Sequence, residues 1–303
     1  MDHPLISDRQ ASLRRRVIQF FRAGYKIRRT SNIVFVCGGN DDTHMRSLFR
    51  RFCESNLTDY EIFLPEAAIG DVLIGDGEPF DIADFETLVG ELAHAIVVFP
   101  EAPGSYAETG YFSAVEALAS KCILSLDFRR QRDDSFISMG PAKKISEKSR
   151  FYPLIQMDYE NPDFSVVCER IRRIDRYKNK KTLTINDFSS LSAFDISCIV
   201  FEIVNICTIA TYEDVVYIMR GLFKGVVQPL KILKIMSIIS GAGYLARVGE
   251  FGHFTVNKNK ESLLEVKEGF REQFDELRLS LADVYLDQEV DFVRLVEEAR
   301  NVG

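Results

Sequence analysis

A short run in the middle of the chain, GSYAETGYFSA over residues 104–114, combines the residue types that carbohydrate chemistry needs. Its surroundings predict a strand, a loop, a helix and a second strand, formed in turn by residues 95–99, 100–105, 106–120 and 122–126. Glu108 then falls in the first helical turn, at the carboxyl edge of a parallel sheet, where open α/β folds bind ligands. Ser105 and Glu108 also match a capping box, so a purely structural interpretation stands beside the functional one.

The chain around Glu108 is strongly acidic. From Phe52 through Ser120 there are fourteen Asp and Glu residues and no Lys or Arg. Such an edge is poorly suited to holding a highly charged phosphate through side chains, but it suits a reaction that develops positive charge. Cleavage of an N-glycosidic bond passes through an oxocarbenium-like state, which a carboxylate can stabilise or trap as a glycosyl ester. A cationic leaving group, such as the pyridinium of NAD, would also favour this setting.

The elements that must position Glu108 alternate between strands and helices. Strands are predicted at 32–37, 60–64 and 95–99, and helices at 42–55 and 81–93. This alternation implies a mostly parallel sheet with helices on both sides. The first strand ends at Gly38-Gly39-Asn40, whose backbone amides, beside a helix start, could hold a ribose or a diphosphate. The glycine-containing segment 67–79 is expected to close over a substrate.

The second half of the chain is predicted to be mainly helical. Helices are expected over 187–209, 211–223 and 229–240, followed by a hairpin within 244–256. Three helices and a hairpin are the order of a winged helix. Only Lys231 and Lys234 lie on the third helix, so phosphate contacts with duplex DNA would be few, and a protein-binding winged helix stays equally open. The acidic helical segment that follows suits packing or self-association.

Two basic segments are candidate surfaces for an acidic partner. Residues 1–31 hold eight Lys and Arg against two Asp, and their apolar spacing predicts a helix over 8–29 with a basic face. A second basic helix, a connector, is predicted over 163–181. The arginines of interest are Arg14, Arg15, Arg16, Arg28, Arg29, Arg172 and Arg173. A solvated helix face is the alternative for both segments.

The composition is that of a folded protein with about two domains, 303 residues long and 46% hydrophobic. No signal-peptide h-region and no run of about 18 uncharged apolar residues occurs, so we expect a cytoplasmic protein with no membrane partner. The six cysteines are scattered and form no C-x-x-C pair. Neither zinc nor disulfides are indicated, and no metal site is expected.

The run Gly104–Ala114 resembles the nucleoside deoxyribosyltransferase signature, in which a Gly-Thr-x-x-Glu-x-Gly-Tyr segment places the nucleophilic glutamate at a helix start. Glu108 falls on that glutamate. The wider pattern, FVCGGN, FLPEA, FETLVGELAHAIVVFPEAPGSYAETGYFSA and SFISMGPAKK, resembles bacterial retron effectors with a deoxyribosyltransferase-like N-terminal domain. The resemblance, which covers nearly the whole chain, implies an anti-phage toxin that cleaves NAD or a related nucleotide. It also implies a complex with a retron reverse transcriptase and its RNA-linked DNA (msDNA and its noncoding RNA).

Two departures from the deoxyribosyltransferase pattern bear on the reaction. Deoxyribosyltransferases usually carry an Asp in the loop before Gly-Thr, whereas this chain has Glu101-Ala102-Pro103, and Ser105 stands in place of Thr. Base transfer between nucleosides is therefore less expected than hydrolysis.

These observations predict a Rossmann-like, nucleoside deoxyribosyltransferase-like α/β domain followed by a winged-helix-like domain. The expected segments are a basic helix (1–31), the catalytic domain (32–160), a basic connector (161–185), the winged-helix-like domain (186–260) and an acidic helix (261–303). Glu108 is the predicted nucleophile. The predicted pocket residues are Gly38, Gly39, Asn40, Glu66, Glu86, Gly104, Ser105 and Tyr106. The partner-binding residues are the arginines above with Lys231 and Lys234.

No cofactor is expected, since NAD or a nucleotide would be the substrate. The expected partners are the reverse transcriptase and msDNA, together with further copies of the chain in a homo-oligomer or higher assembly. Two alternatives stay open: a catalytically inactive nucleotide-sensing or nucleic-acid-binding scaffold, and a free transcription factor.

Overall fold

A computed structural model describes residues 3–64, 66, 81–131, 134–177, 183 and 185–302. The described residues form two compact units, an α/β unit within 31–176 and a helical unit that joins residues 3–30 to the chain after 176. The segment expected to close over a substrate (67–79) and the connector lysines Lys178, Lys180 and Lys181 lie outside the described residues.

The N-terminal segment is a helix followed by a strand, and the single helix predicted over 8–29 is wrong. Its elements are 3-10 turns at Pro4–Ile6 and Asp8–Gln10, helix α1 (Ala11–Ala23) and strand β1 (Tyr25–Ile27). The chain leaves the helix at Gly24, where a Cβ would lie 2.8 Å from the Phe20 ring. Strand β1 then pairs antiparallel with Leu264–Val266. This long-range pairing overrides the helical periodicity that the sequence shows.

Five parallel strands form the sheet of the α/β unit, in the order β3-β2-β4-β5-β6. They are β2 (Ile33–Cys37), β3 (Glu61–Phe63), β4 (Ala95–Val98), β5 (Cys122–Asp127) and β6 (Leu154–Met157). Every residue of β2, β4 and β5 is buried, as expected for central strands covered on both faces. The predicted parallel α/β sheet is confirmed.

The helices of this unit differ from their predicted bounds in two places. They are α2 (Met45–Asn56), α3 (Ile82–Leu92), α4 (Pro103–Ala114), α5 (Glu116–Ala119), α6 (Lys143–Lys148) and α7 (Ser165–Arg172). The helix predicted over 106–120 is two helices, because the backbone is extended at Val115. The predicted connector ends at Arg172, and its apolar residues, including Val167 and Ile171, belong to the core of the α/β unit.

The helical unit contains the predicted order of three helices and a hairpin. Its elements are α8 (Ala193–Cys207), α9 (Tyr212–Leu222), α10 (Pro229–Gly241), β7 (Leu245–Val248), β8 (His253–Val256), β9 (Leu264–Val266), α11 (Arg271–Leu286) and α12 (Val290–Ala299). Thr211 caps α9, its hydroxyl accepting from the Asp214 N–H at 3.2 Å. The mainly helical C-terminal half is confirmed, and the winged-helix assignment stays a prediction. Within the described ranges, no helix is both long and apolar enough to cross a bilayer.

His3 anchors the N-terminal end of the chain inside the helical unit. Its side chain is 1% exposed, and its Nε2 lies 2.9 Å from the Tyr285 hydroxyl and 3.2 Å from the Cys207 carbonyl oxygen. The His3 N–H donates to the Asp214 carboxylate at 3.1 Å. Burial lowers the pKa of His3 to about 4, against the opposing effect of Asp214, so the ring is neutral at pH 7.

We expect His3→Ala to lower the free energy of unfolding by about 2 kcal/mol, because it empties a buried site and removes a hydrogen bond from Tyr285. Urea denaturation followed by circular dichroism measures this, with the exposed Asp8→Ala as control. Between the folded pKa of about 4 and the ordinary value of 6.5, the unfolded chain binds more protons. The contribution of His3 is therefore present above pH 6.5 and lost as the pH falls toward 4. The prediction would be contradicted if the denaturation midpoint were the same for His3→Ala and the wild type and did not change between pH 6.5 and pH 4.

Candidate active site

Helix α4 carries the predicted nucleophile at the carboxyl edge of the sheet. The helix begins at Pro103, directly after β4, so Glu108 lies in its second turn and not in the first. The predicted capping box between Ser105 and Glu108 is wrong, because Ser105 caps the helix from inside it. The Ser105 hydroxyl accepts from the N–H groups of Glu101 and Ala102 at 3.1 and 3.0 Å. The Glu108 carboxylate is therefore free of a capping role.

Glu108 is partly buried and incompletely paired. Its Oε2 is shielded from solvent and has no hydrogen-bond partner among the described residues. Burial raises the pKa of Glu108, as does Glu66, while the Cys37 thiol and Arg46 lower it. Native proteins seldom leave a buried polar oxygen unpaired, and exceptions of this kind call for a functional explanation. A carboxylate that meets few donors is also a stronger nucleophile than one held by several.

Glu86, on α3, is the second carboxyl group of the site. It is 9% exposed, and burial, Glu108 and Glu66, in that order of size, raise its pKa to about 7. A hydrogen bond of 2.8 Å between the hydroxyls of Thr87 and Tyr111 ties α3 to α4 beside this pair. Two neighbouring carboxyl groups cannot both ionise cheaply in a buried site, so one holds the proton. Because the pKa of Glu86 is about 7, Glu86 is present in both its protonated and its ionised form near neutral pH and can donate or accept a proton there.

Arg46, in the first turn of α2, is the cation of the site. Its guanidinium forms an ion pair of 2.9 Å with Glu66 and also donates to the Asn40 side-chain oxygen. The sequence pattern did not indicate this residue, because Arg46 precedes the acidic segment that begins at Phe52. Its place one turn after the Gly38-Gly39-Asn40 break was the signal available. Among the described residues, the site therefore combines several carboxyl groups with the positive charge of Arg46.

The helix start beside Gly38 and Gly39 already holds a carboxylate. Glu101 accepts from the N–H groups of Gly39, Met45 and Arg46 at 2.9, 2.8 and 3.3 Å. The Gly39 N–H is one of the backbone donors predicted to hold a diphosphate, and in this structure it is bound by Glu101. Gly38 permits the close approach, since a Cβ there would lie 2.7 Å from Arg46 Cβ and 2.8 Å from Glu101 Oε1.

Glu101→Ala is expected to lower the free energy of unfolding by about 1–2 kcal/mol, because three N–H groups at the start of α2 lose an anionic acceptor. Glu101→Gln, which keeps one acceptor oxygen, should cost less. Urea denaturation of the two variants and the wild type gives the comparison. Equal midpoints for Glu101→Ala and the wild type would show that water replaces the carboxylate without loss.

The remaining predicted pocket residues differ in their environment. Tyr106 is 42% exposed, and its hydroxyl accepts from Gln131, whose side chain also donates to the Pro100 carbonyl. Ser105 is 1% exposed, and its hydroxyl is engaged in capping α4. A Cβ at Gly104 would meet nothing within 4 Å, so no steric requirement for glycine exists there. No group of three or more His, Cys, Asp or Glu side chains in the described ranges is arranged to hold a metal ion.

All seven predicted partner-binding arginines have structural partners. Arg14 donates to the carbonyls of Leu5, Ile6 and Ser7 at 3.0–3.1 Å. Arg29 is 3% exposed and donates to the Tyr244 hydroxyl, so it does not belong to a solvated basic face. The others pair as follows: Arg15 with the Ala11 carbonyl, Arg16 with Glu276, Arg28 with Glu261, Arg172 with the Asn56 carbonyl and Arg173 with the Tyr152 ring. Lys231 and Lys234 lie partly exposed on α10.

A protein family described as STM3845 retron effector protein matches residues 42–247, about two thirds of the chain. The matched range includes the carboxyl groups of the candidate site and extends into the helical unit.

Two curated proteins of Escherichia coli are similar to part of the chain. A protein of retron Ec86, provisionally named a ribosyltransferase/DNA-binding protein, is 35% identical over 121 residues, 38% of this chain and 39% of that protein. A protein of retron Ec73 with the same provisional name is 30% identical over 122 residues, 39% of each chain. The chain thus spans about two fifths of the length of the curated relatives it matches.

Proposed function

This chain belongs to the STM3845 retron effector protein family, and on that basis we propose that it is the toxin of a retron anti-phage defence system. Its α/β unit cleaves the N-glycosidic bond of NAD or a related nucleotide, with Glu108 as nucleophile. The names of the Ec86 and Ec73 relatives, which combine ribosyltransferase with DNA-binding, support a glycosyl-transfer chemistry. The observation that carries the proposal is the buried, unpartnered Oε2 of Glu108 beside a second carboxyl group.

The two carboxyl groups divide the reaction between them. Glu108 attacks C1′ of the ribose as the base departs, so a glycosyl ester forms and the C–N bond breaks. A neutral base must gain a proton as it leaves, and protonated Glu86 supplies it. Glu86, now ionised, takes a proton from the water that hydrolyses the ester, and both groups return to their starting states. Nicotinamide leaves NAD as a neutral molecule and needs no proton in the first step, so with NAD Glu86 releases its proton to solvent before it accepts one from water, and the hydrolysis yields one net proton.

The helical unit is proposed to bind the retron nucleoprotein, that is, the reverse transcriptase with msDNA and its noncoding RNA. Lys231 and Lys234 on α10 are the proposed contacts. The assembly contains several copies of the chain and holds the toxin until infection. The DNA-binding part of the relatives' names supports this role for nucleic acid.

An assay of the purified chain, alone and with the products of its neighbouring retron genes, tests the function. NAD, nucleosides and nucleotides are incubated with each preparation, and released bases are separated by chromatography. We expect release of free base without transfer to an added second base. If no preparation cleaves any of these compounds, the scaffold alternative holds. If the chain alone binds plain duplex DNA with a steep salt dependence, the transcription-factor alternative gains instead.

A further inference from the structure

A cavity of about 310 Å³ lies within the helical unit, in a part of the chain that the proposed cleavage does not use. Three cationic residues line it, and they come from separate places in the chain: Lys258 follows β8, Arg278 lies on α11 and Arg300 follows α12. No Asp or Glu is among the described residues that line it. The cavity is therefore a positively charged concave site.

The positive charge of the cavity contrasts with the acidic composition of residues 261–303, which supply two of its three cations. Residues 261–303 contain twelve Asp and Glu against five Lys and Arg, yet two of those five cations line one cavity whose described lining includes no Asp or Glu. Arg278 and Arg300 form no ion pair within the described part of the chain, and the Lys258 ammonium donates to the Arg300 carbonyl oxygen. Exposed cations that meet without counter-ions raise the local concentration of anions.

The inner surface of the cavity offers both polar and apolar groups. Asn205, Thr208 and Thr255 contribute amide and hydroxyl groups, while Ile206, Val256 and Leu281 contribute apolar surface. The carboxyl group that Asn205 contacts, at 2.9 Å, is that of Glu202, and burial raises the pKa of Glu202. Arg278 lowers the pKa of Glu202 in opposition to burial, but the Glu202 carboxyl group does not line the cavity.

The backbone of Thr208, which lines the cavity, has an unusual conformation. Its φ is +63°, a conformation that a β-branched residue rarely adopts. The Thr255 hydroxyl holds the Thr208 carbonyl at 2.7 Å. Residues kept in such conformations by their surroundings cluster at ligand-binding and active sites.

We propose that this cavity binds a nucleoside phosphate, with its phosphate monoester against Arg278 and Arg300 and its planar ring against the apolar side. A volume near 300 Å³ is at the small end of ligand sites and suits one nucleotide. Guanidinium groups recognise phosphate through paired N–H donors. The ligand is either a free mononucleotide or the phosphorylated end of a strand, since both present the same group. The proposal does not depend on cleavage by Glu108.

Isothermal titration of the full-length chain with AMP, adenosine and inorganic phosphate tests the site. We expect AMP to bind at least about tenfold more tightly than adenosine, equivalent to about 1.4 kcal/mol. Arg278→Gln and Arg300→Gln should each weaken AMP binding by about tenfold, while Arg294→Gln, an exposed arginine on α12 outside this cavity, should leave it unchanged.

A second pair of titrations separates the two ligand sources. A short single strand with a 5′-phosphate is compared with the same strand lacking it. If binding of the strand requires both its 5′-phosphate and Arg278, the site is assigned to a strand end. If AMP binds but the phosphorylated strand does not, the site is assigned to a free nucleotide. The proposal is overturned if AMP and adenosine bind equally, if AMP binding survives both arginine substitutions, or if neither AMP nor the 5′-phosphorylated strand binds.

Discussion

Exchanging Glu108 for Gln is expected to lower the rate of base release by about 10³-fold or more, because an amide cannot form the glycosyl ester. The variant should fold as the wild type does. Gln has the same shape, and the capping of α4 belongs to Ser105, whose hydroxyl accepts from Glu101 and Ala102. The substitution also removes a partly buried carboxylate whose Oε2 has no hydrogen-bond partner among the described residues, so stability should not fall.

Glu116→Gln is the matched control for this experiment. Glu116 lies on α5, its side chain is 85% exposed, and it forms a long ion pair of 3.8 Å with Lys148. It should retain full activity, as expected for a surface carboxylate. Chromatography of NAD and nucleotides measures cleavage, and growth after induction measures toxicity. If cells lose NAD equally with Glu108→Gln and with the wild type, Glu108 is not the nucleophile.

Trapping of the intermediate gives a direct readout of the same step. A substrate analogue that slows hydrolysis of the glycosyl ester should add one glycosyl mass to the wild-type chain, and peptide mass spectrometry should place it on Glu108. The Glu108→Gln chain should stay unmodified under the same conditions. Modification of Glu86 instead would exchange the roles of the two carboxyl groups.

The sequence predicted what depends on local pattern. Apolar runs marked the strands of the sheet, and a Pro/Gly/Ser loop located the segment that carries Glu108 at the end of β4. The start of α4 was misplaced by three residues, because Ser105 was taken as the residue before the helix when it lies inside its first turn. Both positions place a serine hydroxyl near free N–H groups, so spacing alone does not separate them.

Long-range contacts account for what the sequence did not predict. Glu101 reaches the N-terminus of α2 from a position 62 residues away from Gly39, and no local pattern connects the two. Arg46 enters the acidic site from α2 through its pair with Glu66. The raised pKa of Glu86 follows from burial and from Glu108 and Glu66, which belong to other segments. Each effect depends on tertiary packing, so composition could indicate an acidic site without assigning protons within it.

Replacement of Glu86 by Gln should stabilise the chain at pH 8 while impairing catalysis. The pKa of Glu86 is raised from 4.5 to about 7, so between these values the folded chain binds more protons than the unfolded chain. Stability therefore falls as the pH rises through this window. A shift of that size corresponds to roughly 3 kcal/mol as an upper bound. Glu86→Gln removes this loss, so its advantage over the wild type should grow from pH 5 to pH 8.

The kinetic consequence differs between leaving groups. With a nucleoside, whose base leaves only after gaining a proton, wild-type activity should fall as the pH rises through about 7. Glu86→Gln should be slow at every pH, and its activity should not decline further as the pH rises through about 7. With NAD the first step needs no proton, so rapid-quench measurements should show a burst of nicotinamide near one equivalent. Slow turnover then follows, because no base activates water.

Together, the stability and burst measurements distinguish catalysis from a structural role. A residue that only shaped the pocket would slow both substrates in the first turnover and would leave the pH profile unchanged. If Glu86 carries the proton, its replacement by Gln keeps the nicotinamide burst and removes the decline in activity above about pH 7. If the variant is no more stable than the wild type at pH 8, Glu86 is ionised in the folded chain at no cost. The division of roles between Glu86 and Glu108 would then be wrong, because the buried pair would hold no proton to donate.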